Sequence, residues 1–270
     1  QPYLLYGTPN ELELARQEVV LLWTEERYAL TITTPALADQ LPLLGIQRQQ
    51  LHLKTLTIPE EKAAAPLSLA APEAITPKSQ VYAMLSQVNQ SSLYTSVGDF
   101  SGEWPTTING SAYTLSTRYT YAYTPITKAT RLAWEKFTAM GLPTWYDYYY
   151  IAGLERRNVV AQQTGLPQPD RVFMLIAHLD STSTSPSTLA PGADDNASGS
   201  VALLTIANIL RQYQFGCTLR YALFTGEEQG YYGSIAYASD PDPGTIQAVL
   251  NLDMLGYNTP NSAATIELHT

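Results

Sequence analysis

Val172-Phe-Met-Leu-Ile-Ala-His-Leu-Asp180 decides how this chain folds. Val172–Ala177 is an unbroken apolar run, as expected of a strand buried on both faces. It stops abruptly at His178-Leu-Asp180, so polar side chains meet the end of a buried strand. The same grammar repeats downstream. Gly199–Tyr213 has an apolar helical period, Leu219–Thr225 reads as a strand, Gly233–Ser239 as a helix, and Ile246–Leu252 as a third strand. Strands alternating with helices predict an α/β fold: a mostly parallel mixed sheet with helices on both faces, a three-layer sandwich.

Upstream, Ser79–Asn89 reads as a helix, and Pro125–Met140 as a longer one with Thr124 as cap and Gly141 beyond its end. Tyr146–Tyr150 is a tyrosine-rich strand, suited to core and interface packing. Residues 59–78 are rich in Ala and Pro without amphipathic period, and read as a linker. Residues 1–58 form a small α+β N-terminal unit. Its strands are expected at Glu18–Trp23, Tyr28–Thr33 and Leu51–Ile58, with a helix opening at Thr34-Pro35. The domain boundaries are therefore 1–58, 59–78 and 79–270.

Composition excludes several roles. The chain has 270 residues, 45% hydrophobic, which is enough for a sizeable core, and a net charge of -9. That balance argues against nucleic acid as a partner. No apolar run approaches the roughly 18 residues of a membrane span. Cys217 is the single cysteine, so no intrachain disulfide or thiolate metal cage is available. Many Tyr, Ser and Thr with few Lys suggest a secreted or otherwise extracytoplasmic protein. A start at Gln1 is expected of a processed or trimmed product. Asn89-Gln-Ser and Asn109-Gly-Ser fit the short glycosylation pattern.

The chemistry lies at the strand ends. The first strand runs into His178 and Asp180, the second into Gly226-Glu227-Glu228, and the third into Asp253. Between the first two lies the loop Pro191-Gly-Ala-Asp-Asp-Asn-Ala-Ser-Gly199. Each has a plain structural reading alone: a strand-end histidine, a solvated acidic turn, a helix-capping loop. Together they place His178, Asp195, Glu228 and Asp253 outside the carboxyl ends of one sheet, where such folds bind ligands. So many buried carboxylates demand cations. Nitrogen and oxygen ligands without thiolate suit zinc, with manganese or cobalt as substitutes.

His178-Leu-Asp180-Ser, Gly192-Ala-Asp-Asp-Asn-Ala-Ser-Gly199, Gly226-Glu-Glu-Gln-Gly230 and Asn251-Leu-Asp253-Met resemble, in order and spacing, the motifs of the di-zinc aminopeptidase family. That family includes secreted leucyl aminopeptidases and glutamate carboxypeptidase. The resemblance implies a zinc-exopeptidase-like sandwich over residues 79–270. It implies that His178 and Asp253 bind one zinc, that Asp195 bridges two, and that Glu228 binds the second. Glu227 would be the general base, and Asp180 would orient His178. It also implies a cis peptide between Asp195 and Asn196, a position where aspartate is common.

The activity implied by the resemblance is that of a metallo-aminopeptidase acting on peptide or protein N-termini. The family's second zinc has a further histidine well downstream of the position of Asp253. His269 comes too early to be that ligand, so a catalytic domain incomplete at its C-terminus, holding fewer than two zincs, is expected. Three alternatives share the fold: a carboxypeptidase, an inactive or regulatory binding module, and a glutaminyl-cyclase-like enzyme. The N-terminal unit reads as a propeptide-like shield or a packed appendage.

Overall fold

The computed structural model describes residues 2–25, 27–38, 40–50, 78–239 and 245–258. The N-terminal unit comprises β1 (Pro2–Tyr6), α1 (Pro9–Glu18), β2 (Leu21–Glu25), β3 (Tyr28–Ile32), α2 (Pro35–Ala38) and β4 (Gln47–Gln50). Its antiparallel sheet has the order β2-β3-β1-β4 and its own core, built on Tyr3, Leu5, Leu12, Ala15 and Ile46. The strand expected from Glu18 begins later, at Leu21, because Thr8 starts a helix that runs to Glu18. The Thr8 hydroxyl accepts from Glu11 N–H, and Glu11 returns a bond to Thr8 N–H, a reciprocal cap that fixes the start of α1. The expected strand Leu51–Ile58 and most of the linker lie outside the described residues.

The larger unit continues with α3 (Ser79–Leu85), α4 (Gln90–Ser101), β5 (Thr106–Ile108), β6 (Ser111–Tyr113), α5 (Tyr123–Ala139), β7 (Thr144–Ile151), β8 (Leu154–Gln163) and β9 (Gln168–His178). Then come α6 (Gly199–Leu210), β10 (Cys217–Phe224), α7 (Tyr232–Ala238) and β11 (Thr245–Asn251). Two expected helix ends move. Asn89 ends no helix but caps α4, accepting from Ser92 N–H at 2.9 Å. The helix expected from Pro125 starts at Tyr123, so Thr124 lies inside it and is not its cap. Asn109 and Gly110 both take positive φ and turn the β5–β6 hairpin.

The main sheet has the order β11-β9-β10-β8-β7. β11, β9 and β10 are parallel, whereas β8 and β7 pair antiparallel. The sheet is therefore mixed, with half its pairings antiparallel. The cause is a tight hairpin: Ala152 and Gly153 both have positive φ, so β8 folds straight back on β7. Alternate residues of β8 and β10 serve two layers. Val159, Ala161, Leu219, Tyr221 and Leu223 pack on α5 and α6, and Val160, Ala222 and Phe224 on the α7 side with Tyr237. Helices thus cover both faces.

Candidate metal centre

Sheet register fixes where the strand ends meet. His178 pairs with Phe224 across β9–β10, and Asn251 pairs with Ile176 across β11–β9. Leu179 N–H donates to the Phe224 carbonyl, and Leu252 N–H to that of Ile176. All three parallel strands therefore release their chains at one edge. His178 Nε2 lies 3.0 Å from Asp195 Oδ1 and 3.4 Å from Asp253 Oδ1. His178, Asp195 and Glu228 each offer a ligand atom within 4.8 Å of the others.

The loop of Asp195 is built by close backbone approach. Gly192 has φ +50, and a Cβ there would run into Asp195 O and lie 2.6 Å from Ser181 Cβ. The Asp195–Asn196 peptide is cis, as the resemblance implies. Asn196 is buried and makes three side-chain hydrogen bonds. Its Nδ2 donates to the Leu252 carbonyl at 2.9 Å, and its Oδ1 accepts from Gly199 N–H at 2.8 Å and Met254 N–H at 3.3 Å. Asp194 Oδ1 accepts from Gly256 and Tyr257 N–H. The chain on both sides of Asp253 is thereby tied to the loop of Asp195.

Asp180, fully buried, is hydrogen-bonded to two other segments and faces His178. Its Oδ1 lies 3.7 Å from His178 Nδ1 and accepts from Glu227 N–H at 3.2 Å. Its Oδ2 accepts from Glu228 N–H at 3.3 Å and from the Thr120 hydroxyl at 3.0 Å. Thr120 Oγ1 in turn accepts from Gly226 N–H at 2.9 Å. The β7–β8 hairpin braces the same turn: Asn158 Oδ1 accepts from Thr225 N–H, and Tyr149 Oη shares a hydrogen bond with Thr225 Oγ1.

Carboxylates crowd the one imidazole of the site. Burial, then the carboxylates of Asp180 and Asp195, raises Glu228 to about 9. Burial chiefly raises Glu227 to about 7, against the pull of His178. Burial lowers His178, but its contacts with Asp180, Asp195 and Asp253 prevail and hold it well above its ordinary value. Contact with His178 keeps Asp195 low. An imidazole facing two carboxylates, with a third carboxylate held protonated nearby, is a nitrogen–oxygen donor set that zinc fits.

The six sequence-derived residues, His178, Asp180, Asp195, Glu227, Glu228 and Asp253, are thus at one sheet edge. Sequence reasoning missed Arg118, Thr120, Tyr149 and Asn158, whose separate strands and loops carry no motif. Arg118 is wholly buried. Burial lowers it to about 10, with Asp180, Glu228 and Asp195 drawing it back up, so it stays cationic at neutral pH. His52 and His269 lie outside the described residues. Cys217 is a half-buried free thiol at the start of β10. No helix among the described residues is long and apolar enough to cross a membrane.

Residues 158–268 match the model of Peptidase family M28. A probable zinc metalloprotease of Pyrenophora tritici-repentis is 33% identical over 123 residues, 41% of this chain and 26% of that protein. Leucine aminopeptidase 2 of Trichophyton rubrum is 37% identical over 109 residues, 39% of this chain and 20% of that protein. The alignments span about a quarter or less of the length of these relatives. The crystal structure of LapB from Legionella pneumophila superposes with a TM-score of 0.61 at 14% identity, covering 95% of this chain and 71% of that one, which shows a shared fold. The four motifs, from His178 to Asp253, all fall within the matched residues.

Proposed function

We propose, from the Peptidase family M28 segment, that this chain is the zinc-binding part of a secreted exopeptidase that removes N-terminal residues from peptides. The convergence of Asp195 and Asp253 on His178 Nε2, with Glu228 within ligand distance of the same group, is the observation that carries the reading. His178 and Asp253 would hold one zinc, Asp195 would bridge to a second, and Glu228 would hold that second ion. Zinc there would supply a Lewis acid for the peptide carbonyl and acidify a water molecule.

The chain's own groups do the rest. Glu227 is half-buried beside the ligands with its N–H anchored on Asp180, and its ordinary acidity is weakened to about 7. It takes the proton of the attacking water and delivers it to the leaving amine. Asp180 faces His178 Nδ1 at 3.7 Å and would orient the ring, as metal-bound histidines require. The N-terminal sheet acts as a propeptide-like cover over the turn that carries Glu227. The test is hydrolysis of a leucine anilide with added zinc, with Glu227→Gln as the control. Zinc-dependent turnover that falls about 10² to 10⁴-fold in the variant, at equal zinc content, is expected. An equally active variant refutes the mechanism.

A further inference from the structure

Arg118 lies in the connection between β6 and α5, 60 residues before His178, and its side chain is 0% exposed. Among the described residues, its guanidinium meets no carboxylate at hydrogen-bond distance. It donates instead to four main-chain carbonyls: Nε to Leu179 (2.6 Å), Nη1 to Phe100 (2.6 Å) and Pro191 (2.6 Å), and Nη2 to Gly192 (3.0 Å). Leu179 sits between His178 and Asp180. Pro191 and Gly192 open the loop that ends in Asp195. One planar cation, more than 60 residues away in the chain, therefore grips the backbones of two segments that present three of the six site residues.

The surroundings make that grip specific. Arg118 N–H donates to Ser181 Oγ at 3.2 Å, and Ser181 Oγ donates to the Ala190 carbonyl at 2.7 Å. The carbonyls of Ala190, Pro191 and Gly192 are thus all held, the first by Ser181 and the other two by Arg118. A Cβ on Gly192 would come within 3.0 Å of Arg118 Nη2, so the glycine also admits the guanidinium. Gathered carbonyl dipoles repel one another, and a buried cation offsets that repulsion as well as the excess charge of the acidic cluster. Lysine cannot do the same, because its ammonium has no planar fork.

We infer that Arg118 is a positioning residue for the zinc site, holding the His178 and Asp195 segments in their binding geometry before any metal arrives. The inference rests on the zinc reading above. Arg118→Lys keeps the charge and removes the fork, and zinc affinity is measured by competition with a chromophoric chelator. A fall of at least about tenfold is expected, the range in which outer partners of metal ligands act. A folded Arg118→Lys protein with zinc affinity within about twofold of wild type overturns the inference, even if its melting temperature drops. Deuterium exchange on the zinc-stripped wild-type chain is a second measurement that needs no variant. Amides of the 191–199 loop, including Ala197 N–H bound to the Gly192 carbonyl, are expected to be protected already. Free exchange there without zinc also overturns the inference. A wild-type chain that takes up no zinc sinks the underlying zinc reading, a different failure from either of these.

Discussion

Asn196 Nδ2 donates to the Leu252 carbonyl at 2.9 Å, so the residue after one proposed zinc ligand, Asp195, is bonded to the residue before another, Asp253. The same side chain accepts, through Oδ1, from Met254 N–H on the far side of Asp253. Two loops 56 residues apart in sequence behave here as one piece.

Removing that staple is expected to cost both stability and metal. Asn196→Ala leaves the Leu252 carbonyl and the Gly199 and Met254 N–H groups without their partner. The Gly199 N–H is buried, and a buried group left unsatisfied costs about 1–3 kcal/mol; the other two are partly buried and cost less. Thermal denaturation should show the loss, and zinc titration should show weaker binding. Gly199→Ala attacks the same joint sterically, since its Cβ would meet the Leu252 carbonyl. Unchanged zinc affinity in both variants would show that the staple does not serve the site.

Asp180→Asn tests the anchor beneath the histidine. The carboxylate accepts from two backbone N–H groups and from Thr120, and it faces His178 Nδ1. An amide offers one acceptor oxygen where the site uses two, and its NH2 group would face donors. Zinc affinity is expected to fall about 10 to 100-fold. Isothermal titration with the folded variant measures it.

The zinc-stripped chain is expected to lose stability as pH rises. In the unfolded chain Glu227 and Glu228 return to an ordinary value of 4.5, against about 7 and about 9 when folded. A raised folded value means the native state holds protons that the unfolded state has released. The associated stability is complete below 4.5 and is lost as pH climbs through 7 and then 9. His178, also raised, acts in the same direction, while lowered Asp195 acts oppositely and only in acid. Melting temperatures of stripped protein should therefore fall between about pH 5 and about pH 9, and saturating zinc should flatten the slope. A flat profile without zinc contradicts this charge assignment.

The N-terminal unit touches the turn that carries Glu227. The Arg48 guanidinium lies 5.2 Å from the Tyr3 ring centre and 4.7 Å from that of Tyr232. A Cβ on Gly230 would collide with the Arg48 carbonyl. Burial, then Glu227 and Tyr6, raises the Tyr231 phenol, so the unit and the proposed base share a neighbour. Arg48→Ala removes contacts worth about 0.5–2 kcal/mol. If the unit is a cover, kcat/KM on a leucine anilide rises in the variant at equal zinc content. Unchanged or lower activity rejects the cover.

The sequence by itself determined the parallel half of the sheet and its acidic edge. Apolar runs of buried strands and the residues that end them are local signals, so His178, Asp180, Glu227, Glu228 and Asp253 could be placed at strand ends from Val172 onward. The antiparallel half was not legible as such, because β8 carries no distinctive period and its direction depends on the two left-handed residues Ala152 and Gly153. The supporting shell was less legible still. Arg118, Thr120 and Asn158 reach the site from 60 or more residues away through hydrogen bonds to main-chain groups. A backbone carbonyl or N–H has no sequence signature, since every residue other than proline carries both. Which side chain finds which backbone group is settled only when distant strands come into register. The sequence thus named the candidate ligands, and tertiary structure decided what holds them in place.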